Sequence, residues 1–159
     1  MAVVANAGPL ISLARIDHLP LLPALYSEVI VPPVVYQEIT AETDLPGAHE
    51  LAQAGWLRAV AARDELAVQR LLFWLDRGES EAIVLAQEMS TTLLIDERRG
   101  RAIAAALSLE ITGTVGILLA AKALGHVQVV MPLLDALLAA GVRLSPRLYD
   151  EAQRQAGEG

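Results

Sequence analysis

With 159 residues, 54% of them hydrophobic, the chain is long enough for one domain with a full core. The absence of cysteine excludes disulfides, thiolate metal sites and cysteine nucleophiles. A net charge of −7 argues against a broad electrostatic grip on nucleic acid but leaves room for an acidic cleft that brings its own cations. No apolar run approaches the roughly 20 residues of a membrane span and no basic n-region opens the chain, so a soluble, cytoplasmic protein is expected. The high apolar fraction points to surface buried in a homodimer.

In chain order, Ala2 to Ala5 reads as a buried strand ending on Asn6. Ala7-Gly8-Pro9 then turns into a helix from Leu10 to about Ile16, with Pro9 at its first position. Asn6 stands at a strand's carboxyl end beside a helix N-terminus, either as a cap or as a polar site residue. Asp17 to Tyr26 reads as a helix broken by Pro20 and Pro23, and Glu28 to Val31 as the second strand. A helix from Val34 to Thr40 carries Glu38. Thr43 to Gly47 is a loop, Ala48 to Ala54 a short helix, and Trp56 to Val60 a small or edge strand. Asp64 is placed to cap a helix through Asp76, in which Phe73-Trp74 is expected in the core rather than as a base-stacking platform.

Gly78 stops that helix, and the next enters through Glu79 and Glu81, where the dipole favours negative charge. Its apolar face is Ala82, Ile83, Leu85, Ala86 and Met89. Thr91 to Ile95 is β-branched and apolar, as a buried parallel strand should be, and Asp96 and Glu97 stand at its carboxyl end. Arg98 to Ser108 is a helix, Glu110 to Thr112 a further strand, and Gly113 to Gly116 a turn before an alanine-rich helix from Ile117 to Leu124. His126 to Val130 is apolar and β-branched, a helix runs from Met131-Pro132 through Ala140, and Val142 to Leu144 is extended. Ser145-Pro146 caps and starts a last helix to about Ala156. Strands alternating with helices give an α/β fold with a parallel sheet.

Ligands of open α/β sheets bind at the carboxyl ends of strands, where Asn6, Asp96 and Glu97 fall. Glu38, Glu79 and Glu81 lie on helices that would pack beside those ends. Gathered carboxylates repel, so they need divalent cations or a shared proton. Oxygen donors, without cysteine and with only the scattered His18, His49 and His126, favour magnesium or manganese over zinc. Two apart on a helix, Glu79 and Glu81 diverge by about 160°, so one of them faces a cleft, and Glu79 lies nearer the centre of the apolar face. A single lysine, Lys122, and the lack of a P-loop, a nucleophile elbow and a dinucleotide fingerprint count against those enzyme classes.

The segments Val3 to Ile11, Pro33 to Ile39, Gly78 to Ile83, Leu94 to Arg98, Gly113 to Leu118 and Ser145 to Tyr149, in this order and spacing, resemble a PIN domain. The resemblance is to the compact prokaryotic DUF3368 branch, related to VapC-type toxins, and runs nearly end to end. It implies an α/β/α sandwich around a four- or five-stranded parallel sheet, over residues 1–159, with acids that hold magnesium or manganese and hydrolyse RNA. The implied acid positions fall on Asn6, Glu38, Glu79 with Glu81 contesting it, and the Asp96-Glu97 pair. Asn6 departs from the usual aspartate and contributes no charge. On this reading Glu38, Glu79 and Asp96 are catalytic, and Arg98, Arg101 and Thr114 contact nucleic acid, the arginines with help from backbone amides. The implied partners are an RNA substrate, an antitoxin-type protein and a second copy of the chain. The alternative is a PIN-like binding module with weak or no activity.

Overall fold

A computed structural model describes residues 1–41 and 44–159. Thr43, where the sequence reading begins a loop, lies outside the described residues. Strands β1 (Ala2–Ala5), β2 (Glu28–Val31), β3 (Leu57–Ala59), β4 (Leu93–Leu94) and β5 (Ile111–Thr112) form one parallel sheet in the order β3-β2-β1-β4-β5. Helices α1 (Ala7–Arg15), α2 (Leu21–Leu25), α3 (Pro33–Thr40) and α4 (Ala48–Gln53) fall between β1 and β3. Helices α5 (Glu65–Leu71) and α6 (Arg77–Met89) lead to β4, and α7 (Arg98–Ala106) to β5. Helices α8 (Thr114–Ala123), α9 (Met131–Ala139) and α10 (Pro146–Ala156) close the order.

The two-residue period of a strand decides the layers. Val3, Ala5, Val29, Val31 and Leu94 point into one core with Leu10 and Leu13 of α1, Val35 and Ile39 of α3, and Ile117 and Leu118 of α8. Val4, Ile30, Leu93 and Ile95 point into the other, against Ala82, Ile83, Leu85 and Ala86 of α6 and Ala104 of α7. Both faces of the sheet are therefore covered, which is the sandwich expected. From β1 the chain steps through β2 to β3, then crosses back to place β4 on the other side of β1. Such a reversal opens a crevice at the strands' carboxyl ends. It lies between β1 and β4, where Asn6 and Asp96 stand.

Several boundaries move from the sequence reading. Helix α1 begins at Ala7, so Pro9 occupies its third position, still within the first turn whose N–H groups have no intrahelical partner. The helix expected from Asp17 to Tyr26 shrinks to Leu21–Leu25. Asp64 caps α5 by accepting from the Ala67 N–H at 3.0 Å, but α5 stops at Leu71 and Gly78 lies inside α6 rather than ending its predecessor. Phe73 and Trp74, expected in the core, are 85% and 64% exposed, and Met89 also reaches the surface. Only Leu75 of that apolar run turns inward, because a chain that leaves a helix in a tight turn cannot aim four consecutive side chains at one core. Gly113 to Gly116, expected as a turn, contains the N-cap and first turn of α8. His126 to Val130 joins no ladder.

Candidate active site

Asn6 follows β1 and its N–H donates to the Leu94 carbonyl at 2.9 Å, which ties it to the neighbouring strand. It occupies the N-cap position of α1, yet its side chain makes no capping hydrogen bond. Its Oδ1 is instead directed toward the start of α6. A side chain added at Gly78 would lie 3.7 Å from Asn6 Oδ1, 3.6 Å from Asp76 Oδ1 and 3.3 Å from Val35 of α3. Residues of β1's end, α3 and α6 thus meet around Gly78, where an added Cβ would press only on Val35. Glu38 is exposed on α3, one turn beyond Val35 and on a neighbouring part of the helix surface.

Asp76 and Glu79 form a capping box at the start of α6. Asp76 Oδ1 accepts from the Glu79 N–H at 2.8 Å, and Glu79 Oε1 accepts from the Asp76 N–H at 3.0 Å. Glu79 is 9% exposed. Burial pushes its pKa up to about 7; the accepted Asp76 N–H works against that rise, and the charges of Asp76 and Glu97 add to it. The Glu79 and Glu97 carboxyl groups act on each other, raising the first and lowering the second. Glu97 is the better anion. Its partial burial pulls upward, but the Gly100 and Arg99 N–H groups and the neighbouring Glu79 hold its carboxyl below the usual range. Those two N–H groups donate to Glu97 at 2.5 and 3.0 Å, so Glu97 caps α7. Trp74, Leu75, Asp76, Glu79, Glu97, Arg98, Arg99 and Ala102 line a cavity of about 590 Å³.

Asp96 turns the other way. Its Oδ1 accepts from the Thr114 N–H at 2.7 Å and its Oδ2 from the Thr114 hydroxyl at 2.6 Å, and Thr114 itself is buried. Gly113 leaves space for this clamp, since a Cβ there would stand 2.7 Å from Asp96 Oδ1 and 2.8 Å from Arg101 Nη1. Arg101 Nη1 donates to the Ile95 carbonyl at 2.8 Å. Asp96, Arg101 and Thr114 share a second cavity of about 630 Å³ with Gly8, Ser12, Tyr26 and Arg143.

The fold thus brings Glu79 and Glu97 to one cavity together with Asp76, and leaves Asp96 in the other cavity with Thr114. It separates Arg98 from Arg101, which line different cavities, and the α7 amides expected to receive a phosphate already serve Glu97. Thr114 holds Asp96. Glu81 pairs with Arg77 at 3.5 Å, and its Oε2 is buried with no partner among the described residues. Asp76 is the residue that sequence reading missed. The signal was available in Asp76-Arg77-Gly78-Glu79, a capping-box spacing hidden by extending the preceding helix through it.

Among the described residues no three acidic or histidine side chains stand close enough to cage a metal ion. Glu79 and Glu97 offer a different arrangement, two carboxyl groups lining one cavity. Magnesium is commonly held by one or two carboxylates, with water and substrate phosphate completing its shell. The donors present fit an ion of that kind. The sequence profile of the DUF3368 family, described as a PIN domain, matches residues 2–158. No curated protein matches the chain.

Proposed function

We propose, for a chain that belongs to the PIN-domain family, a divalent-metal-dependent ribonuclease working at the crevice between β1 and β4. PIN domains are in general nucleases, and the proposal narrows that to RNA and to magnesium or manganese. The observation that carries it is the lining of one cavity by three acids, Asp76, Glu79 and Glu97, where burial and like charge raise Glu79 and a cation would relieve the repulsion. Glu79 and Glu97 would hold the ion, with Asp96 across the strand end and Glu38 and Glu81 as further acids. A bound ion supplies Lewis-acid polarisation of the scissile phosphate and an acidified water.

The chain's own residues do the rest. Thr114 fixes both oxygens of Asp96, so that carboxylate is oriented before substrate arrives. Glu97 is held ionised by the Gly100 and Arg99 N–H groups, and Glu79, raised by burial, would give up its proton on taking the ion. Arg98 and Arg101 stand on opposite sides of the Asp96-Glu97 corner, suited to phosphates upstream and downstream of one cut. A homodimer and an antitoxin-type protein partner complete the proposal. Asn6 favours a second reading, a weakly active or inactive binding module acting through protein partners, because a neutral amide stands where the family usually has an aspartate.

Manganese titration by calorimetry, paired with a cleavage assay on structured RNA, tests the two readings. Asp96→Asn is expected to weaken both binding and cleavage far more than Asp44→Asn in an exposed turn. Equal effects of the two changes would remove the case for this site.

A further inference from the structure

The chain has one phenylalanine and two tryptophans, and the phenylalanine and one tryptophan sit side by side at the surface as Phe73 and Trp74. Leaving such rings in water forfeits some of the largest burial energies available to a fold. The turn that carries them is not loose. Trp74 and Leu75 both donate their N–H to the Leu71 carbonyl at 2.9 Å, Leu75 is buried, and Arg99 Nη1 donates to the Trp74 carbonyl at 3.3 Å. Backbone on both sides of the indole is pinned while the ring stays out.

Trp74 is also a wall of the cavity that holds Glu79 and Glu97, with Arg98 and Arg99 on its rim. Whatever fills that cavity meets Trp74, two arginines and the acids Asp76, Glu79 and Glu97 within about 590 Å³. An apolar protein surface would satisfy the ring but bury the charges unpaired. A nucleotide satisfies the first two, with its base on the indole and its phosphate on the arginines, while the carboxyl groups are left to the cation of the ribonuclease reading. We propose that Trp74 is a stacking platform for a base of single-stranded RNA next to the scissile phosphate. This rests on the ribonuclease reading of the same site and adds that the substrate is read there by stacking, in a sequence-tolerant way.

Binding of a single-stranded RNA octamer, measured in chelator so that no cleavage occurs, tests it. Trp74→Ala is expected to weaken binding roughly fivefold to a hundredfold, the range spanned by loss of one base-stacking aromatic. Trp74→Phe should restore most of the affinity, and Leu66→Ala, another exposed apolar residue, should leave it unchanged. The same octamer carrying abasic sites should bind Trp74→Ala and the wild type alike, an outcome that a merely structural role for Trp74 would not produce. Unchanged affinity of Trp74→Ala for the intact octamer overturns the platform, and if light scattering then shows loss of self-association, the surface belongs to a second copy. Cleavage is scored separately with manganese. Base-dependent, Trp74-dependent binding without cleavage sinks the nuclease and keeps the platform, whereas cleavage indifferent to Trp74 does the reverse.

Discussion

Two glutamates in this protein meet opposite surroundings. Glu158, just past α10, is surrounded by donors. Its Oε2 accepts from Lys122 Nζ and the Val130 N–H, each at 2.8 Å, and its Oε1 from the Met131 N–H at 3.0 Å. Lys122 first, then the Met131 and Val130 N–H groups, pull the Glu158 pKa down to about 2. Glu79 has burial and two acidic neighbours, and its pKa goes up to about 7. The only lysine of the chain thus serves a packing contact between α8, α9 and the segment after α10. None of the ion pairs found among the described residues reaches Glu79, Asp96 or Glu97. A fold able to neutralise a carboxylate this fully at one place leaves Glu79 buried beside two other acids at another, and that imbalance is what the proposed function builds on.

The contrast can be broken from either side. The largest effect is expected at Thr114, whose hydroxyl and N–H orient Asp96. Thr114→Val keeps the backbone bond and loses the other, and should cost about 10- to 100-fold in metal-supported cleavage, as loss of an outer partner of a site residue commonly does. Thr114→Ser should recover most of it; failure of that recovery in steady-state kinetics would assign Thr114 to packing instead.

Next comes Asn6→Asp, which adds a carboxylate near Asp76. Manganese affinity by calorimetry should tighten by about tenfold, since direct charge contacts near a protein surface are worth a few kcal/mol before desolvation. Without divalent cations the same change should lower Tm, because one more negative charge joins the cluster. An unchanged affinity would return Asn6 to the scaffold.

Two smaller effects are read in Tm alone and should have opposite pH signatures. The depressed Glu158 pKa contributes stability that is present above the ordinary value of 4.5 and is lost as pH falls toward 2. Glu158→Gln should therefore melt lower than wild type at pH 7, with the gap closing in acid. The raised Glu79 pKa acts the other way, contributing stability below 4.5 that disappears as pH rises through about 7. Glu79→Gln keeps an acceptor for the Asp76 N–H and removes the titrating group, so it should match wild type at pH 4.5 and melt higher at pH 8, by the smallest margin of the four. Parallel pH profiles for the two variants would dissolve the comparison.

Much of this was legible in the chain before any coordinates. Apolar runs such as Ala2 to Ala5 and Glu28 to Val31, alternating with amphipathic stretches, determine an α/β fold with a parallel sheet, because local periodicity and burial period are the same property seen twice. Asp64 and Ser145 announced their helices, since a cap acts within three residues of itself. Acids at strand carboxyl ends followed from the same punctuation. Exposure and partnership did not follow, because they depend on residues distant in the chain. Phe73-Trp74 reads as core by composition and lies in water because α5 ends at Leu71 and only Leu75 finds the sheet. The adjacent acids Asp96 and Glu97 look equivalent in sequence. Only the tertiary structure sends one to Thr114, 18 residues away, and the other to the cap of α7 and the buried Glu79. The meeting of Glu79 and Glu97 in one cavity is likewise a product of packing, since two carboxyls 18 positions apart come together only when the fold sets the end of β4 against the start of α6.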